Sequence, residues 1–254
     1  MANDEEKLLL RHLKDLAERA FARSIYTYSN FLSLTEQDVF LKAGSEFGFI
    51  SHELYGGSEL AERRIAVFGD EESFGYPPEY PVTVIKTEPV NDRFSEELTH
   101  RDYLGALMNL GIERALTGDI IIRDKRAWIY CHESMAEHIC DNLNRIKHTE
   151  VSCKIVSSDI PELRPVLTEI TLNVASQRTD SIVAAFCGLS RNHAESLFRQ
   201  GKVFINGREE ESVSRKIKEG DILTVRGFGK AIYDGISNET KKGRINIRLR
   251  KYGM

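Results

Sequence analysis

Between Ser176 and Glu209 the chain reads SQRTDSIVAAFCGLSRNHAESLFRQGKVFINGRE, and this stretch limits the fold more tightly than any other. Ile182, Ala185 and Phe186 predict a short helix that Ser176 caps and Gly188 ends. Ser190 then predicts the cap of a second helix, with Ala194, Leu197 and Phe198 on its inner face at i, i+3 and i+4. Gly201 stops that helix, Lys202 to Ile205 forms a strand, and Asn206-Gly207 is a tight-turn signal. The unit is helix, turn, helix, strand.

Charge sets this end of the chain apart. The 254 residues carry a formal net charge of −4, which by itself argues against a nucleic-acid binder. From Gln177 to Met254, however, 16 Lys and Arg face 9 Asp and Glu, a balance of +7, and the residues before them balance at −11. One segment is built to face an anion and the other is not. In RINIRLR, Ile245, Ile247 and Leu249 point one way, while Arg244, Asn246, Arg248 and Arg250 point the other. Three arginines on one strand face, preceded by Lys241 and Lys242, are expected to repel one another without a polyanion. Arg191 and Arg199 line the outer face of the second helix. Arg191 sits where free N–H groups and the capping Ser190 also meet a phosphate, with Asn192 and Lys202 flanking. Arg226 and Lys230 bracket a glycine turn with Phe228 at its tip. Base stacking and packing within its own domain both remain open for that ring, packing being favoured.

The front of the chain reads as two further modules. Residues 5–23 predict a helix whose stripe is Leu9, Leu13, Leu16, Ala17 and Ala20. A second helix follows, capped by Thr35 and stopped by Gly44, then strands over 47–55 and 63–68 around a Gly56-Gly57 turn. The stretch GDEESFGYPPEYP has no periodicity and reads as a linker. Beyond it come a strand (PVTVIKTEP), a helix from Thr99 to Leu110, strands at 119–122 and 127–131, a helix from Ser134 to about Ile146, and a strand at 151–156. That order is β-α-β-β-α-β, the ferredoxin-like arrangement. The fold class is therefore α+β: an N-terminal α/β subdomain (1–75), a central ferredoxin-like domain similar to RNA-recognition modules (76–165), and the C-terminal domain (175–254). Trp128 and Tyr130 share a strand face, where packing is favoured over base stacking.

Little in the sequence supports chemistry. His100 and Asp102 offer a His–Asp pair, but no nucleophile or ligand cluster stands beside them, and Asp102 suits the first turn of a helix. Cys131, Cys140, Cys153 and Cys187 form no C-x-x-C pair and read as small core residues. No glycine-rich nucleotide loop or P-loop is present. No catalytic residue, metal or cofactor is expected. The N-terminus MANDEEKLLL has acids where a signal peptide is basic, and no apolar run approaches about 18 residues. A cytoplasmic protein is expected.

The residues Arg178-x-Asp180, Leu189-Ser190-Arg191, Gly201-x-Val203, Asn206-Gly207 and Gly220-Asp221 resemble the RNA-binding domain first described in ribosomal small-subunit protein four, the S-four domain. Thr179 departs from it, since a leucine is usual between the Arg and the Asp. The longer stretches HRDYLGALMNLGIERALTGDIII, AERRIAVF, VRGFGK and TKKGR resemble the bacterial YlmH family of S-four proteins. The resemblance implies a non-catalytic RNA-binding protein of translation, bound to ribosomal RNA of the large subunit with peptidyl-tRNA in ribosome-associated quality control. It implies no membrane and no small-molecule substrate, and a monomer is expected. The RNA contacts expected are Arg178, Ser190, Arg191, Asn192, Arg199, Lys202, Asn206, Arg226, Lys230, Lys241, Lys242, Arg244, Arg248 and Arg250. Two other readings compete: an RNA-modifying enzyme of the pseudouridine synthase or methyltransferase type, and a scaffold for cell division.

Overall fold

A computed structural model of the chain describes residues 2–58, 61–157, 160, 163, 166–240 and 243–253. It divides into two compact units, Met1–Arg164 and Pro165–Met254.

The first unit begins with α1 (Ala2–Arg23). Its predicted stripe is real: Leu13, Leu16, Ala17 and Ala20 are buried against Phe40, Phe47, Ala66 and Phe68. After β1 (Thr27–Tyr28), α2 (Leu34–Lys42) is capped by Ser33 rather than Thr35. Glu36 completes a capping box there, its carboxylate accepting from Ser33 N at 2.6 Å. A 3-10 turn (Gly44–Phe47) takes the start of the stretch read as strand, so β2 is only His52–Tyr55. β3 (Ile65–Phe68) is the buried centre of a three-stranded antiparallel sheet, β1-β3-β2. The segment read as linker contains a one-turn helix, α3 (Glu71–Phe74), capped by Asp70.

The central module follows as β4 (Val82–Pro89), α4 (His100–Asn109), β5 (Thr117–Arg123), β6 (Arg126–His132), α5 (Ala136–Asn142), β7 (Arg145–Ile146) and β8 (Thr149–Val156). The sheet runs β5-β6-β4-β8-β7 and its paired strands are all antiparallel. With β7 set aside as an edge addition, this is the ferredoxin-like order. Helix α5 is shorter than the sequence suggests. Ile146 sits in β7, and Ser134 lies in a 3-10 turn whose N–H is accepted by His132. The helices cover the face carrying Ile85, Ile129 and Cys131.

The N-terminal subdomain is clamped to this module at a polar seam. Asp119 accepts from Glu62 N at 2.6 Å and Arg63 N at 3.1 Å, and Arg63 donates to the carbonyls of Phe31, Arg114 and Thr117. Burial, then the neighbouring Arg63, lowers the Arg114 guanidinium to about 10. Gly118 belongs to the same seam: a Cβ there would stand 2.8 Å from the Phe31 ring.

In the second unit, β9 (Val166–Val174) precedes α6 (Thr179–Cys187), α7 (Arg191–Arg199), β10 (Val203–Ile205), β11 (Arg208–Glu209), β12 (Ile222–Val225), β13 (Gly229–Glu239) and β14 (Ile245–Gly253). The sequence reading begins this domain at 175, but β9 is part of it, pairing with β14 along its whole length. The six strands run β11-β10-β12-β13-β14-β9. Both helices pack on one face, where Ile182, Val183, Ala194, Leu197 and Phe198 meet Val203, Ile205, Leu223, Tyr233, Ile247 and Leu249. Gly188 ends α6 in the left-handed conformation, as expected. Arg178, not Ser176, occupies the N-cap position of α6.

Candidate nucleic-acid interface

Asp180 lies in the first turn of α6, and its side chain is wholly buried, at 0% exposure. A carboxylate out of water needs partners. It finds Arg178 Nε and Nη2, both at 3.1 Å, Arg191 Nη2 at 2.6 Å, and Ser181 N at 2.8 Å. Burial pushes this carboxyl up, but the bonds from Arg178 and Arg191 outweigh it and hold it below its ordinary value. The arginines themselves remain open, their side chains 41% and 51% exposed. The result is a clamp: one buried anion fixes two guanidinium planes at the entrances of α6 and α7, with further N–H donors left on each. Preset, planar donors of this kind suit phosphate oxygens.

Arg191 stands at a helix N-terminus, as its sequence position predicts, and there it holds Asp180, which that position does not show. Ser190 is the cap of α7, its Oγ accepting from His193 N at 3.3 Å and lying 3.0 Å from His193 Nδ1. Asn192 is exposed beside it. The clamp also gains a neighbour that no local pattern announces. A long loop returns from β11, and the backbone of Lys216 bridges to that of Arg178, so an exposed lysine joins the site.

The other expected contacts lie along the rest of the unit. Lys202 and Arg226 are joined by Arg226 N to Lys202 O at 2.9 Å, and the Arg226 guanidinium lies over the Phe204 ring at 5.4 Å. Arg199 is exposed at the end of α7. Arg248 and Arg250 share a face of β14, as alternation predicts, but it is the face away from the helices, and Arg244 precedes the strand. The expected repulsion is also relieved inside the protein. Arg250 is held by both oxygens of Asp234 at 2.8 and 2.9 Å, and Arg244 donates to the side chain and carbonyl of Asn173. Arg248 stays exposed, opposite Thr171 and Gly235. Lys230 lies over Tyr252 at 5.3 Å. Phe228 is 38% exposed at its turn, more open than expected. Lys241 and Lys242 lie outside the described residues.

Asn206 is already committed. It holds φ 53° in the turn, accepts from Ile222 N and donates to Asp221 Oδ1, both at 2.8 Å. We expect Asn206→Gly, which keeps the backbone conformation, to cost about 1–2 kcal/mol through the lost bonds. Asn206→Ala should cost about 1 kcal/mol more, because alanine tolerates the left-handed region poorly. Urea melts of the two variants measure the difference, and RNA affinity per folded molecule should not change.

In the central module, the Trp128 and Tyr130 face is closed. Trp128 is 6% and Tyr130 1% exposed, packed with Val84, Leu163 and Ile160. The His100–Asp102 pair dissolves as well. Asp102 accepts from Thr99 N and Oγ1 at 2.8 and 2.7 Å and binds Lys147 at 2.7 Å, while burial and then Arg114 lower the His100 imidazole. Cys131 is core, and burial raises its thiol to about 12. Among the described residues, no helix is long and apolar enough to cross a membrane.

Residues 79–159 match the family model described as "Putative RNA-binding domain in YlmH", and residues 177–223 match that of the S4 domain. The chain is 27% identical over 229 residues to the ribosome-associated protein quality control protein P2 of Bacillus subtilis (strain 168), covering 88% of this chain and 86% of that protein. A solved structure named cell division protein ylmH from Streptococcus pneumoniae is 22% identical, with a TM-score of 0.49, over 63% of this chain and 94% of that one. The chain thus carries, in order, a domain matching the YlmH RNA-binding model and an S4 domain, and it resembles the YlmH family.

Proposed function

We propose that this protein binds ribosomal RNA on the large subunit carrying peptidyl-tRNA, in ribosome-associated quality control, and that it does so in the cytoplasm without catalysing a reaction. The observation that carries the reading is the Arg178–Asp180–Arg191 clamp within the S4 domain. It presents phosphate-binding groups at fixed positions, so a folded RNA is gripped by shape and backbone. The likeness to a ribosome-associated quality control protein supports the ribosome as the setting. The RNA-binding character of both matched families favours recognition over chemistry. The acidic front of the chain limits indiscriminate attraction to RNA.

The test is sedimentation of the full chain with purified large subunits, with and without peptidyl-tRNA, across a salt series. Binding should be tighter with peptidyl-tRNA and weaken steeply with salt, with a logarithmic slope of about −0.7 to −0.9 per phosphate contacted. Pelleting that ignores salt, or that persists after ribonuclease digestion, would refute the reading. Unchanged base modification in RNA from cells lacking the protein is expected, and a missing modification would make it an enzyme.

A further inference from the structure

We propose that the central module makes a second RNA contact through the groove between α4 and the α5–β7 segment, where it binds a phosphodiester backbone. The inference rests on the RNA-binding role above and names a further place at which RNA is met. Modules of this topology offer aromatics on the open sheet face for base stacking. Here that face is occupied by the protein itself, since Leu163 and Ile160 pack over Trp128 and Tyr130.

The helical side offers what the sheet face does not. A groove of about 490 Å³ runs there, lined among others by Arg101, Asn109, Asn144, Arg145 and Lys147. The one carboxylate in its lining, Asp102, is already neutralised by Lys147 at 2.7 Å and bonded to Thr99. That leaves the charges of Arg101 and Arg145, both exposed, in excess. Arg145 is oriented by its Nε bond to Lys147 O at 3.1 Å, at a turn where Lys147 holds φ 52°. Glu150 stands across the strand pair from Arg145 but does not line the groove. The groove is open on its α4 side. Gly105 faces it from α4, and a Cβ there would meet nothing within 4 Å, so a ligand can approach the helix closely. Exposed amides on Asn109 and Asn144 supply both donors and acceptors for phosphate and sugar oxygens. Cations with amides over an open floor fit a sugar-phosphate chain better than an apolar protein surface. Every residue of the groove also falls within 79–159, the span matched by the RNA-binding family model.

The experiment uses the full chain and purified large ribosomal subunits. Three variants are compared with the parent after thermal melts confirm folding: Arg101→Gln with Arg145→Gln, Arg101→Lys with Arg145→Lys, and, in the S4 domain, Arg199→Gln with Lys202→Gln. The glutamine pair should weaken binding about tenfold and flatten the salt slope by the equivalent of one to two phosphates, and the lysine pair should restore most of both. A photocrosslinker at Asn109 should label RNA. Unchanged affinity in the glutamine pair, or a crosslink to ribosomal protein alone, would overturn the groove assignment. If the S4 pair weakens binding while the glutamine pair does not, the proposed function stands without the groove. If the parent binds no large subunits, both fall.

Discussion

Removing both Arg178 and Arg191 is expected to destabilise the C-terminal unit by about 3–5 kcal/mol at neutral pH, because the double alanine variant strands a buried charge. Either single variant leaves Asp180 one guanidinium and should cost less, about 1–3 kcal/mol. The pH dependence separates this from a simple loss of packing. In the parent the Asp180 carboxyl is held below its ordinary value near 3.8. Its contribution is therefore complete above that value and is lost as pH falls through the lower folded value. In the double variant only the Ser181 N–H bond still opposes burial, and the carboxyl rises. The sign reverses: the variant is penalised at neutral pH and recovers relative to the parent as pH falls. Adding Asp180→Asn to the double variant should restore much of the loss by removing the charge. Denaturant melts from pH 3.5 to 7 check all three statements. A pH-independent deficit, or no rescue by asparagine, would mean that the carboxylate is not what the arginines hold. The same cycle bears on function, since alanine at these positions weakens RNA binding partly through folding, and affinity must be read on folded protein.

Trp128→Ala should cost about 3–5 kcal/mol in the first unit while leaving RNA affinity per folded molecule unchanged. The ring is almost fully buried among Val84, Tyr130 and Leu163, with the Lys86 ammonium 5.9 Å from its centre. Its loss leaves a cavity that rigid strands fill poorly. Trp128→Phe should recover a good part of the stability. Were Trp128 instead a stacking platform, alanine would cost affinity of about 1–3 kcal/mol per base with little change in melting. Chemical denaturation and RNA titration on one preparation distinguish the two.

Much of the architecture is legible in local pattern. The stripe of α1, the caps and stops around α7, the left-handed Gly188 and the Asn206-Gly207 turn all follow from spacing that one helical turn or one hairpin enforces. The β-α-β-β-α-β order is legible for the same reason. Errors gather where two local solutions compete. Ser33 wins the cap of α2 over Thr35 because Glu36 stands three residues on to close the box. Ile146 keeps helical spacing with Ile139 and Leu143, yet the chain turns at Leu143 and delivers it to a strand. The strand β9 carries a readable alternation in Ile170, Leu172 and Val174, but its partner β14 lies some seventy residues away, beyond any local pattern.

The sequence by itself determined which residue types the C-terminal unit carries and which of them share an element: a cationic segment, two capped helices, and arginines on alternate positions of one strand. Only the tertiary structure decided which charges act together. Alternation assigns Arg248 and Arg250 to one side of β14, but not whether that side faces the helices, and the packing of Ile247 and Leu249 beneath α6 and α7 turns these arginines away. Folding also gives the exposed Arg250 to Asp234, and it gives the clamp to Asp180, because a carboxylate out of water takes the nearest opposite charges that the chain's path supplies. The partners lie two to sixteen residues apart, but which of them meet is set by how α6 docks on α7 and β13 on β14, and that packing is a property of the whole fold.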